Sequence, residues 1–138
     1  MTTNRAGAYL DSSVIVRYLA NDPPEMADRA TEIIEKQTGL IVTEHILAES
    51  AFVLQSVYGI PRPDLVDALM EFVRHENIQL AHIEKPIVLQ ALGLCRDSKR
   101  VSFADALLWA EAFSSPGRSV YTFDQRFPTT GISIIESD

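Results

Sequence analysis

Short apolar stretches alternate along this chain with longer segments of helical periodicity, and turn residues separate them. Parallel strands buried on both faces have this apolar character, and helices normally connect them. The predicted strands are residues 8–10, 40–42, 78–80 and 119–123, with 132–135 as an optional fifth. The predicted helices run from a Ser12 or Ser13 cap to about Ala20, from Pro24 to Lys36, from a Thr43 cap to about Tyr58, from Pro63 to about His75, from Pro86 to about Asp97, and from Phe103 to about Phe113. The pattern predicts a three-layer α/β/α fold around a central, mainly parallel sheet of four or five strands.

Length and composition favour one globular domain over residues 1–138, because 138 residues with 46% hydrophobic content can bury a core. No apolar run is long enough to span a bilayer, and Met1 to Arg5 lack the apolar centre of a secretory signal. We therefore expect a cytoplasmic protein that does not enter membranes.

Cys95 is the single cysteine, so neither an internal disulfide nor a cysteine-rich zinc site can form. The net charge of -7 argues against a broad basic surface for nucleic acid.

Two aspartates follow directly after predicted strands. Asp11 ends the first strand, and Asp124 ends the fourth. Ligands of open α/β sheets bind beyond the carboxyl ends of the strands. If these two strands are neighbours, two carboxylates converge at one edge of the sheet.

Two further acids lie on predicted helices beside apolar residues. Glu49 has Phe52 and Val53 at the next turn, and Asp105 has Leu108 and Trp109. An ionised carboxylate removed from water costs several kcal/mol unless a cation or hydrogen-bond donors compensate it. A metal ion shared with the strand-end aspartates is one such compensation.

The carboxylates Asp11, Glu49, Asp105 and Asp124 are hard oxygen ligands, which select Mg²⁺ or Mn²⁺. Such ions suit phosphodiester chemistry, because they polarise phosphate and lower the pKa of a bound water. Four close acids are also expected to raise one another's pKa, so metal binding should weaken at low pH.

Each acid also has a purely structural interpretation. Asp11 can cap the first helix, and Asp124 can form a turn with the residues after it. Asp105 can belong to a near capping box with Ser102, and Glu49 can be an ordinary boundary residue. Their joint occurrence in this order favours a site over four coincidences.

Four segments carry a resemblance to a known family. They are Leu10-Asp11-Ser12-Ser13-Val14, Ala48-Glu49-Ser50, Phe103-Ala104-Asp105-Ala106-Leu107-Leu108 and Thr122-Phe123-Asp124-Gln125-Arg126-Phe127. In order and spacing they resemble the PIN domain, and within it the VapC toxins of bacterial toxin-antitoxin pairs. The likeness covers nearly the whole chain. One departure is Ser12-Ser13, where the family more often has Thr-Asn.

The resemblance implies a Mg²⁺- or Mn²⁺-dependent endoribonuclease, in which Asp11, Glu49 and Asp105 correspond to the first three metal-site acids and Asp124 to the last. It also implies a homodimer with an RNA substrate, inhibited by a small VapB-like antitoxin. DNA would be contacted only indirectly, through that antitoxin. The alternatives are a non-catalytic binding module of the same fold and a stand-alone RNA-processing nuclease without an antitoxin.

Two other acid-based sites fit poorly. A phosphoaspartate receiver needs a lysine just after a late strand, and Lys36, Lys85 and Lys99 do not lie there. A haloacid-dehalogenase-like phosphatase needs a second aspartate two residues after the first, where this chain has Ser13.

Overall fold

The computed structural model describes residues 7–135, so Met1 to Arg5 lie outside the described part of the chain. Helices dominate this part, and the strands are short. The elements in chain order are α1 (Ser12–Ala20), α2 (Pro24–Lys36), β1 (Leu40–Val42), α3 (Glu44–Ser56), α4 (Arg62–Arg74), β2 (Ile78–Leu80), α5 (Lys85–Arg96), α6 (Phe103–Phe113), β3 (Ser119–Tyr121) and β4 (Ser133–Ile135).

Local capping chemistry determines where several helices begin. Thr43 Oγ1 accepts from the backbone N–H of Ile46 at 3.1 Å and caps α3, as the sequence predicts. Ser102 caps α6 in the same way through Asp105. At α1, however, the cap is Asp11 and not Ser12 or Ser13. The carboxylate accepts from the residue two positions later, so α1 begins one residue after the aspartate.

All strand pairings in the described residues are parallel, which confirms the predicted direction. β1 pairs with β2, with Leu40 opposite Ile78, and β3 pairs with β4, with Ser119 opposite Ser133. Residues 8–10 join β1 only through a bridge between Tyr9 and Ile41. Residues 7–135 thus form two two-stranded sheets, and a continuous sheet of four or five strands stays a prediction.

The core lies between the helices and the inner faces of the strands. Trp109 is completely buried at its centre, and its indole Nε1 donates to the carbonyl of Thr130 at 2.8 Å. This bond connects α6 to the loop that follows β3. Cys95 is buried in α5 as a free thiol. Within residues 7–135, no helix is both long and apolar enough to cross a membrane.

Candidate active site

Three of the four predicted acids belong to helices that pack against one another in series, two within a helix and one as an N-cap. α1 packs against α3, and α3 packs against α6. Asp11 caps α1, Glu49 lies in the middle of α3, and Asp105 lies in the first turn of α6. β3 packs against α6, and Asp124 follows β3 by three residues. The fold therefore places the four acids on adjacent elements.

The carboxylate of Asp11 is held by its own helix. Its Oδ2 atom accepts from the Ser13 hydroxyl at 2.6 Å and from the Ser13 backbone N–H at 3.1 Å. These bonds, the hydroxyl first, hold the pKa of Asp11 below its ordinary value of 3.8. The capping interpretation of Asp11 is thus confirmed, and Ser13 contributes the hydroxyl.

Asp124 is held in a comparable way by the turn after β3. Its Oδ1 atom accepts from the Arg126 backbone N–H at 2.9 Å and from the Arg126 guanidinium Nε at 3.3 Å. The backbone bond is the main cause of a lowered pKa for Asp124. The Thr122 hydroxyl accepts from the Asp124 backbone N–H at 3.0 Å, so the chain turns and β3 ends at Tyr121 instead of Phe123. The sequence analysis expected the four acids to raise one another's pKa. For Asp11 and Asp124 this expectation is wrong, because hydrogen bonds from neighbouring residues lower the pKa of both.

The two helical acids differ from the strand-end pair. Glu49 is exposed, and Asp105 is half-buried. Among the hydrogen bonds and ion pairs within residues 7–135, none reaches the carboxylate of Glu49 or of Asp105. Glu49 remains exposed to water although Phe52 and Val53 lie beside it on α3, whereas Asp105 is partly removed from water. These two carboxylates are available to a group from outside the chain.

Glu44 is a buried acid that the sequence analysis did not identify. It is only 5% exposed, in the first turn of α3. It accepts from the backbone N–H groups of His82 and Ile83 at 3.3 and 3.2 Å, and its Oε2 lies 3.1 Å from His82 Nδ1. The sequence could have indicated Glu44, because this acid follows the end of β1 by two residues. Its role in the fold is to fix the start of α3 to the loop after β2.

Arg62 is a second residue that the sequence analysis missed, and it holds the segment that leads to Asp105. Its Nη1 donates to the carbonyls of Cys95 and Ser98 at 3.3 and 2.9 Å, and to that of Val101. Its guanidinium also lies 4.9 Å from the centre of the Phe103 ring. Arg62 therefore anchors the loop from α5 to α6, just ahead of the helix that carries Asp105.

The chemistry of the donor set fits a hard divalent cation, since all four side chains offer carboxylate oxygens. The positions of these side chains do not form a ready-made metal site. Within residues 7–135, no three His, Cys, Asp or Glu side chains form a group that could hold a metal ion. An ion that used all four acids would have to draw their side chains together.

The architecture is that of a small α/β protein with acids at strand ends and on adjoining helices. The family model described as PIN domain matches residues 8–132. The match includes all four acids, and the chain belongs to the PIN domain family. PIN domains are generally nucleases that act on nucleic acid and typically use divalent metals. Comparisons with curated proteins and with solved structures gave no match.

Proposed function

We propose that this protein is a Mg²⁺- or Mn²⁺-dependent endoribonuclease and the toxin of a VapBC-type toxin-antitoxin pair. The observation that carries the proposal is the serial packing of α1, α3 and α6, which places Asp11, Glu49 and Asp105 on adjacent elements of a PIN domain. A single domain over residues 1–138, located in the cytoplasm and assembled as a homodimer, belongs to the same proposal.

In this mechanism Asp11, Glu49 and Asp105 would hold the cation, and Asp124 would complete the set. The bound ion would supply positive charge that polarises the scissile phosphate and lowers the pKa of an attacking water. Ser13 and Arg126 orient the carboxylates of Asp11 and Asp124 before the substrate arrives. Glu49 and Asp105 supply the carboxylates that no donor of the described chain occupies.

The test is cleavage of total cellular RNA by antitoxin-free protein in Mg²⁺, in Mn²⁺ and in EDTA. Discrete, metal-dependent fragments are expected, and Asp105→Asn should abolish them while circular dichroism stays native. The matched control is Glu111→Gln, because Glu111 is an exposed acid further along α6 and should be dispensable. Cleavage that persists in Asp105→Asn would show that the assignment of Asp105 is wrong.

The toxin role is supported by an apolar surface between α1 and α2. Met26 and Ile33 are exposed on α2, and they line a small cavity of about 110 Å³ together with Ser13 and Arg17. An amphipathic antitoxin segment could bury such side chains. A toxin should arrest growth when expressed alone, and co-expression of a short protein encoded next to it should restore growth. RNA cleavage without growth arrest would favour a stand-alone processing nuclease.

The alternative of another class is a non-catalytic binding module of the same fold. RNA binding without cleavage in any of the tested metals would establish that alternative.

A further inference from the structure

Exposed aromatic side chains cluster along the sequence around the predicted acids. The exposed aromatic residues of the described chain are Tyr9, Phe52, Tyr58, Tyr121 and Phe123. All except Tyr58 lie within three residues of Asp11, Glu49 or Asp124. The extreme case is Phe123, which directly precedes Asp124 and is 96% exposed, and Tyr121 is 76% exposed. A phenyl ring left this exposed gains nothing from the protein's own core.

The segment that carries Phe123 is nevertheless held in place. On one side the Thr122 hydroxyl accepts from the Asp124 backbone N–H, and on the other Asp124 accepts from Arg126. The Asp124 carbonyl also accepts from the Phe127 backbone N–H at 3.1 Å, and Phe127 is buried. Two consecutive turns thus present the exposed ring from a fixed backbone. A ring presented in this way loses little freedom when it binds a partner.

The charge of the molecule indicates what such rings can recognise. The net charge of -7 argues against a broad basic surface that would bind nucleic acid through its phosphates. Arg126, the arginine nearest to Phe123 in sequence, is already paired with Asp124. Stacking of bases on aromatic rings does not depend on charge and binds unpaired nucleotides with little regard to sequence. A protein partner would instead require a continuous apolar patch, and Thr122, Gln125 and Arg126 interrupt this one with polar groups.

We propose that Phe123, assisted by Tyr121, is a stacking platform for unpaired bases of RNA beside Asp124. This inference rests on the proposed ribonuclease function, because it identifies residues that position the substrate of that site. It predicts a preference for single strands over duplexes, since paired bases do not present their faces. It also predicts binding that depends weakly on salt.

The experiment measures the anisotropy of a fluorescein-labelled 12-nucleotide single-stranded RNA of mixed sequence, and of the same RNA annealed to its complement. Binding of the full chain is titrated in Ca²⁺ and in EDTA, over a series of salt concentrations. Phe123→Ala should weaken single-strand binding about tenfold without changing the salt slope. Phe123→Leu should be as weak as alanine, and Phe123→Trp should bind at least as well as wild type, with quenching of the new indole fluorescence.

Tyr58→Ala is the matched control, because Tyr58 is an exposed aromatic residue distant in sequence from every predicted acid, and it should not change binding. Unchanged affinity in Phe123→Ala would overturn the inference, as would full recovery in Phe123→Leu, which would indicate an apolar docking contact. Failure of the wild type to bind single-stranded RNA in either condition would overturn it too. Cleavage by wild-type protein in Mg²⁺ is scored separately and decides the ribonuclease function alone.

Discussion

The two strand-end acids and the two helical acids of this protein are positioned by different means. Asp11 and Asp124 are oriented by donors from residues two positions further along the chain. Glu49 and Asp105 accept no hydrogen bond through their carboxylates within the described chain, and the packing of α3 and α6 determines where they lie, with Arg62 anchoring the loop ahead of Asp105. One pair is prepared locally, and the other depends on the tertiary fold.

One pair of carboxylates is therefore oriented by hydrogen bonds, and the other pair has oxygen atoms that no donor of the described chain occupies. Local donors orient the carboxylates of Asp11 and Asp124 and hold their pKa values below the ordinary 3.8. The same donors occupy oxygen atoms that a cation would also use. Glu49 and Asp105 lack such competition, but they also lack local support. We therefore expect substitutions of Glu49 and Asp105 to lower activity most. We also expect changes in remote packing to displace these two carboxylates more than those of Asp11 and Asp124.

The largest expected effect is the loss of cleavage in Glu49→Gln. We expect a decrease of at least about 100-fold, because even outer-shell partners of a metal contribute 10- to 100-fold. Stability should be unchanged, since Glu49 is exposed and accepts no hydrogen bond within residues 7–135. The measurement is the initial rate of RNA cleavage in Mg²⁺, together with urea unfolding.

Glu44→Ala on the same helix is the matched comparison and should behave in the opposite way. It leaves the buried backbone N–H of Ile83 without its acceptor, so unfolding free energy should fall by about 1–3 kcal/mol. Cleavage per folded molecule should remain. If Glu49→Gln lost stability and kept activity, Glu49 would be a structural residue like Glu44.

A smaller effect is expected when the support of α6 is removed by Arg62→Met. The loss of a charged donor to the carbonyls of Cys95 and Ser98 should lower unfolding free energy by about 2 kcal/mol. Cleavage should fall roughly tenfold, because the loop ahead of Asp105 loses its anchor. Arg62→Lys should recover part of both, since an ammonium can still donate to carbonyls but cannot stack as a planar group on Phe103.

Ser98→Ala distinguishes this anchor from a general loss of loop order. Ser98 accepts from Arg62 through its backbone carbonyl, which alanine retains. Its hydroxyl accepts only a local bond from Arg100. If Arg62→Met cleaved RNA at the native rate, α6 alone would position Asp105.

The sequence predicts the elements of this fold better than their assembly. The caps at Thr43 and Ser102 are local, so the starts of α3 and α6 follow from residue types. The extent of the sheet depends on pairing between distant three-residue strands, which periodicity does not specify. The four acids are recognisable by order and type. The turn at Thr122 joins residues only two positions apart, whereas Arg62 supports α6 through contacts 33 and 36 residues away, which no local pattern reveals.

The smallest expected effect is a change in the pKa of Asp11 when its cap is weakened. The Ser13 hydroxyl is the largest cause of the lowered value, so Ser13→Ala should move the pKa of Asp11 up towards 3.8, as measured by carbon-13 NMR of the carboxyl. The pKa of Asp124 should not move, because Arg126 sets it. Equal titration of Asp11 in both proteins would show that the backbone N–H alone holds the carboxylate.

The sign of the accompanying stability change follows from linkage. A folded pKa below the unfolded one contributes stability that is complete above the ordinary value of 3.8 and is lost as pH falls through the folded pKa. Wild type should therefore be slightly more stable than Ser13→Ala at pH 7, and the difference should shrink below pH 3.8. A difference that instead grew at acid pH would mean that Ser13 stabilises the protonated carboxyl, and the contrast between the locally held acids and the helical acids would then fail at Asp11.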